Sequence, residues 1–101
     1  MEYYHGIIDY LINDKFHFLS AEENYCILQS TKTRHVWLIE YNPLAPCNKY
    51  KLWHKHRRED PYHKQANFKS VKDCLDHIVW HDKFYIYKRK KSHYSNHHSD
   101  L

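Results

Sequence analysis

Apolar side chains recur with two different periods along this chain, and the change from one to the other outlines a fold. Over residues 3–12, Tyr4, Ile7, Ile8, Leu11 and Ile12 fall at helical spacing, which predicts a short amphipathic helix closed by Asn13 and Asp14. Phe16, Phe18 and Leu19 either begin a strand or plug the core, and Glu22, Glu23 and Asn24 read as a turn. The period then shortens to two. YCILQS (25–30) and HVWLIEY (35–41) flank the polar TKTR, a β-hairpin pattern, and Pro43 and Pro46 stop the second strand. A third strand is predicted over 49–57, where Tyr50, Leu52, His54 and His56 alternate with Lys51, Trp53, Lys55 and Arg57.

Glu59, Asp60 and Pro61 make a turn, and the stretch 62–68 is extended without a clear alternation. Ser70 with Asp73 resembles a capping box, opening a helix whose stripe is Val71, Cys74, Leu75, Ile78 and Val79 and which ends near Asp82. FYIY (84–87) then reads as a final strand, with Phe84 and Ile86 on one side and Tyr85 and Tyr87 on the other. Residues 92–101 lack apolar periodicity and are expected as a flexible, polar, His-rich tail. The predicted architecture is α+β: a single domain over 1–91, in which a mainly antiparallel sheet of three to four strands packs with two helices in the order α-β-β-β-α-β.

Composition narrows the function classes. A chain of 101 residues, 42% hydrophobic and 28% charged, matches one folded domain with a modest core. It holds one Gly and three Pro, so no glycine-rich phosphate loop can be built and nucleotide hydrolysis is unlikely on chemical grounds. Cys26, Cys47 and Cys74 form an odd, widely spaced set, which favours free thiols in a reducing cytoplasm. No run approaches the apolar length of a membrane span, and no membrane partner is expected.

Charge is where the chain departs from the ordinary. The formal net charge of +4 is unevenly placed: residues 1–30 are acidic, and the excess of Lys and Arg lies beyond them. It concentrates in NKYKLWHKHRR (48–58) and KFYIYKRKK (83–91), both interleaved with aromatic rings. If Tyr50 and Leu52 face the core, then Lys51, Trp53, Lys55 and Arg57 turn outward; if Phe84 and Ile86 do, then Tyr85, Tyr87 and Arg89 turn outward. With Arg58, Lys88, Lys90 and Lys91 they would form one face of rings and cations, suited to stacking on bases and pairing with phosphates. The plain alternative is that the rings are core and the cations a solvated rim.

Three further groups of residues have types that bear on chemistry. Cys74, His77 and His81 follow C-x2-H-x3-H within a sector of about 60° on the helix, which zinc could use; Cys74 equally fits the apolar stripe, no CxxC knuckle exists, and no metal or other cofactor is the preferred reading. Glu59, Asp60 and His63 have the types a nuclease needs, yet loop carboxylates are usually solvated, and no catalytic residue is assigned. Trp80 falls opposite the apolar stripe, either covered by another segment or serving as a partner interface.

The expectation from sequence is a small non-enzymatic module that binds single-stranded or structured nucleic acid through its basic aromatic surface. The alternative is a protein-interaction module or inhibitor that blocks the nucleic-acid site of a larger, acidic enzyme. The Lys-, Ile-, Asn- and Tyr-rich vocabulary is what AT-rich coding yields and would fit a mobile-element origin.

Overall fold

Five strands follow one another before any described helix: β1 (Phe16–Ala21), β2 (Tyr25–Ser30), β3 (Val36–Tyr41), β4 (Tyr50–Lys55) and β5 (His63–Phe68), then α1 (Val71–Ser99). The computed structural model describes residues 15–99, with side chains described for 15–90. All neighbouring strands pair antiparallel in sequence order, so the sheet is a simple meander with β1 and β5 at its edges. The domain is α+β, a five-stranded antiparallel sheet with one C-terminal helix packed on it.

Alternation sets which side chains meet that helix. One inward row runs Phe18, Leu28, Trp37, His54 and His63 across the five strands; a second runs Ala21, Cys26, Ile39, Leu52 and Ala66. Val71, Cys74, Leu75 and Ile78 of α1 close over them, and Leu28, Trp37, Ile39, Leu52, Leu75 and Ile78 are fully buried. Each such side chain contributes roughly 1.5–3 kcal/mol through burial. The opposite, outward row is Ser20, Ile27, Leu38, Trp53 and Lys64.

Irregularities explain why two strands were hard to read. Register shifts between Phe18 and Ser20 in β1, and between Leu52 and Trp53 where β4 meets β5, interrupt strict alternation in both edge strands. The ambiguous 62–68 stretch therefore resolves as β5, and the strand beginning at Phe16 is β1. Left-handed backbone falls on Arg34 (φ 67°) and Asn48 (φ 51°), the chain having a single glycine, at position 6.

Two expectations are overturned at the C-terminal end. The helix does not end near Asp82, and 84–87 is not a strand: α1 continues through it to Ser99, into residues expected as a tail. No Gly or Pro interrupts 71–99, so nothing local ends the helix. Asp82 is buried, accepts a hydrogen bond from Thr33 Oγ1 (3.0 Å), and anchors the helix to the β2–β3 turn. The observed order among the described residues, β-β-β-β-β-α, thus replaces α-β-β-β-α-β; the helix predicted over 3–12 lies outside the described residues.

Candidate functional site

Continuation of the helix through 84–87 separates the rings that a final strand would have gathered. Trp53 points out from the far face of the sheet, half-buried, where its Nε1 donates to Glu40 Oε1 at 3.3 Å and Lys51 Nζ lies 5.4 Å from its ring centre. Lys51 and Lys55 share that face, and Lys55 Nζ sits 4.2 Å over the Tyr62 ring. Arg57 and Arg58 are exposed in the following turn. Tyr85 instead turns inward from α1 and meets His35 edge-on at 4.5 Å. Trp53 and Tyr85 therefore stand on opposite sides of the sheet, and the single platform of residues 53, 85 and 87 does not form.

A different set of rings comes together on the solvent side of α1. Trp80, Phe84 and Tyr87 are 59%, 46% and 62% exposed, at i, i+4 and i+7 on one helix face. Trp80 and Phe84 are stacked, ring centres 5.6 Å apart and planes 5° from parallel, and Lys88 Nζ lies 5.2 Å over the other end of the pair at Phe84. His77 extends the ladder toward the helix start, 5.9 Å from Trp80. Lys83 and Lys90 are exposed beside it; Arg89 is exposed four residues past Tyr85 on the other side of the helix, and Lys91 is in the helix, beyond the described side chains. From Lys83 to Ser99 the chain carries five cations and no carboxylate. Lys83 also borders a cleft of about 220 Å³ whose walls include Lys15, Thr31, Lys32 and Asp82. Trp80, expected either under another segment or at an interface, is covered by no segment among the described residues.

On the buried side of the same helix lies a cluster of imidazoles that sequence reasoning did not assemble. His54 follows Trp37 in its row and stacks on it at 4.0 Å; His35 enters from the β2–β3 turn directly after the left-handed Arg34; His81 comes from α1. His35 and His54 are 3% and 2% exposed, and His54 Nε2 and His35 Nδ1 are hydrogen-bonded at 3.0 Å. Gln29 Nε2 donates to Arg34 O at 2.9 Å, which holds the strained residue in place. His56 stacks on His35 at 4.2 Å, and His63 meets His54 edge-on at 5.1 Å.

Electrostatics keep this cluster neutral. Burial, reinforced by His56 and His81, lowers His35 to about 4; burial, with His81 and His35 next, lowers His54 to about 3. Burial also lowers His81, ahead of the effect of His77. At neutral pH the three rings are therefore imidazoles, each with one N–H and one ring lone pair, and one of those lone pairs accepts the hydrogen bond between His54 and His35.

The candidate zinc set read from sequence does not converge. Cys74 is packed in the core beside Cys26, its thiol pushed up to about 12 by burial, and His77 faces Gln65 and Phe68. His81 alone of the three joins the cluster, with His35 and His54. The signal was present but dispersed: His54 is two residues past the core Leu52, and His81 three past the core Ile78, so each inherits an inward direction. Glu59 and His63 are exposed and Asp60 is half-buried in the turn; among the described residues no hydrogen bond or ion pair joins the three, and His63 meets His54 instead.

No described helix is long and apolar enough to cross a membrane. Compared with protein families, curated proteins and solved structures, the chain matches none.

Proposed function

We propose that this domain binds single-stranded nucleic acid along the solvent face of α1, with Trp80, Phe84 and Tyr87 as stacking surfaces and Lys83, Lys88 and Lys90 as phosphate contacts. The observation that carries the reading is the stacked, half-exposed Trp80–Phe84 pair, beside which the helix carries Lys83, Lys88 and Lys90 and, from Lys83 to Ser99, no carboxylate, while Asp73 and Asp76 bound it on the N-terminal side. The Trp80–Phe84 pair contributes only about 0.2–0.5 kcal/mol to the helix itself, whereas bases stacked on such rings contribute roughly 1–3 kcal/mol each. The positive charge beyond Trp80 favours a polyanion there, with Asp73 and Asp76 bounding the stripe at its N-terminal end. The cleft beside Lys83, with Lys15 and Lys32 on its walls, offers a place for a phosphate at the edge of the stripe.

Fluorescently labelled single-stranded DNA, single-stranded RNA and duplex DNA, each titrated at low and high salt, test this directly. Binding to a single strand is expected to weaken steeply with salt. Trp80→Ala with Phe84→Ala should reduce it by about tenfold or more, as loss of one or two stacking contacts implies. Trp53→Ala, on the far side of the sheet, should leave it unchanged. Absence of salt-sensitive binding to all three probes, together with stable capture of one protein, would favour the interaction-module alternative and end this reading.

A further inference from the structure

We infer that His35, His54 and His81 form a binding site for one zinc-class divalent ion that clamps α1 to the β3–β4 end of the sheet. Their candidate ligand nitrogens all lie within 4.8 Å of one another, the closest pair at 3.0 Å. Tetrahedral zinc with Zn–N bonds of 2.0–2.1 Å needs nitrogens about 3.4 Å apart, so small ring rotations complete the geometry. The three ligands come from three separate elements, a turn, a strand and a helix, which is the arrangement that converts ion binding into tertiary stability.

The apolar alternative leaves a polar atom unexplained. His35 and His54 satisfy each other with one shared proton, yet His81 Nδ1 is buried with no hydrogen-bond partner among the described residues. An ion bound through His54 Nε2 and His35 Nδ1 replaces the hydrogen bond between them, the donor ring's proton moving to its other nitrogen so that both stay neutral imidazoles, and gives the third ring a role. The donor chemistry identifies the class of ion. Three neutral imidazoles, with the nearest carboxylate, Asp82, engaged by Thr33, suit zinc, cobalt, nickel or copper and not magnesium or calcium. The fourth position is left for water. The depressed proton affinities of His35 and His54 keep both in the ligand form well below neutral pH. This inference departs from the cofactor-free expectation and does not depend on nucleic-acid binding.

The test uses the full chain, stripped with a chelator and titrated with zinc chloride by calorimetry and native mass spectrometry. One zinc per chain and a zinc-dependent rise in melting temperature are expected, and cobalt should give the intense visible bands of a tetrahedral site. His81→Gln should weaken zinc binding by at least about tenfold. His77→Gln, on the same helix but outside the cluster, should not. Imidazole-nitrogen NMR of the unmutated chain covers the case in which a variant misfolds: zinc must shift His35, His54 and His81 together. A stripped, folded chain that takes up no zinc, or uptake that shifts other histidines and survives His81→Gln, overturns the site.

Discussion

Trp80 and His81 are adjacent in sequence, as are Phe84 and Tyr85, yet each pair straddles the boundary between the two sides of α1. Trp80 and Phe84 stack in solvent beside Lys88; His81 and Tyr85 turn to the sheet, among His35, His54 and Trp37. The residue types are similar and the physics is opposite. On the solvent side rings keep company with charge and remain exposed. On the sheet side imidazoles are stripped of charge and satisfied, with one exception, by each other. Helix phase alone decides which, because each residue advances about 100° around the axis.

The largest expected difference between the two sides is in stability. Trp37 is fully buried under α1, stacks on His54 and donates from Nε1 to Ser30 Oγ at 3.1 Å. Trp37→Ala should cost about 3–5 kcal/mol in urea unfolding. Trp80→Ala should cost no more than about 0.5 kcal/mol, as an exposed substitution does. Comparable losses at both positions would mean that Trp80 is covered, and the contrast would fail.

Acid sharpens the same contrast. In the metal-free chain His35 and His54 hold protons only below about 4 and about 3, against 6.5 when exposed. Between those limits the unfolded chain binds more protons, so stability is complete above 6.5 and falls as pH drops toward 4 and on to 3. At about 1.4 kcal/mol per tenfold change in proton affinity, the loss is on the order of several kcal/mol. Asp82, raised by burial, works in the opposite direction just above the normal carboxylate range and offsets part of it. His56, His63 and Tyr85 also face the cluster, so the curve reports the group together. Denaturant unfolding across pH 3–7 on chelator-treated protein checks this, and a flat profile from 6.5 to 4 would show that the buried rings are already hydrated.

How far each side was legible in the sequence follows from the range of the interactions that make it. The hairpin of β2 and β3, the strand β4 and the start of α1 came from local alternation, a polar turn and Ser70, and the inward direction of His54 came with them. The stretch 84–87 misled because aromatic and β-branched residues favour strands, whereas here Tyr85 docks on His35 and Phe84 stacks on Trp80 four residues earlier. Asp82 looked like a terminator and is a tertiary anchor. The metal candidate spans positions 35, 54 and 81, and no local spacing can express a cluster that only the meander brings together.

On the solvent side, the proposed phosphate contacts carry a smaller and graded signature. Replacing Lys83, Lys88 or Lys90 singly by Gln should lower affinity for a single strand modestly and uniformly across sequences. Each should reduce the slope of log affinity against log salt by about one if its contact is real. Lys51→Gln, on the opposite face of the sheet, is the control and should leave the slope in place. A slope that falls equally for Lys51 would move the interface to the sheet.

The smallest predicted effect lies upstream of both sides and should touch them equally. Ser70 Oγ accepts a hydrogen bond from the Asp73 N–H at 3.1 Å, and Ser70 O accepts the Cys74 N–H at 3.3 Å, which together start α1. Removing the hydroxyl orphans one N–H of the first turn, so Ser70→Ala should cost about 1 kcal/mol in urea unfolding. That turn lies about two turns before Trp80 and His81, and the rest of the helix is held by Leu75 and Ile78. Zinc affinity and single-strand affinity should therefore both stay near wild type while stability drops. A selective loss of one activity would show that the helix start positions that side alone, and that the two sides are not carried by one rigid element.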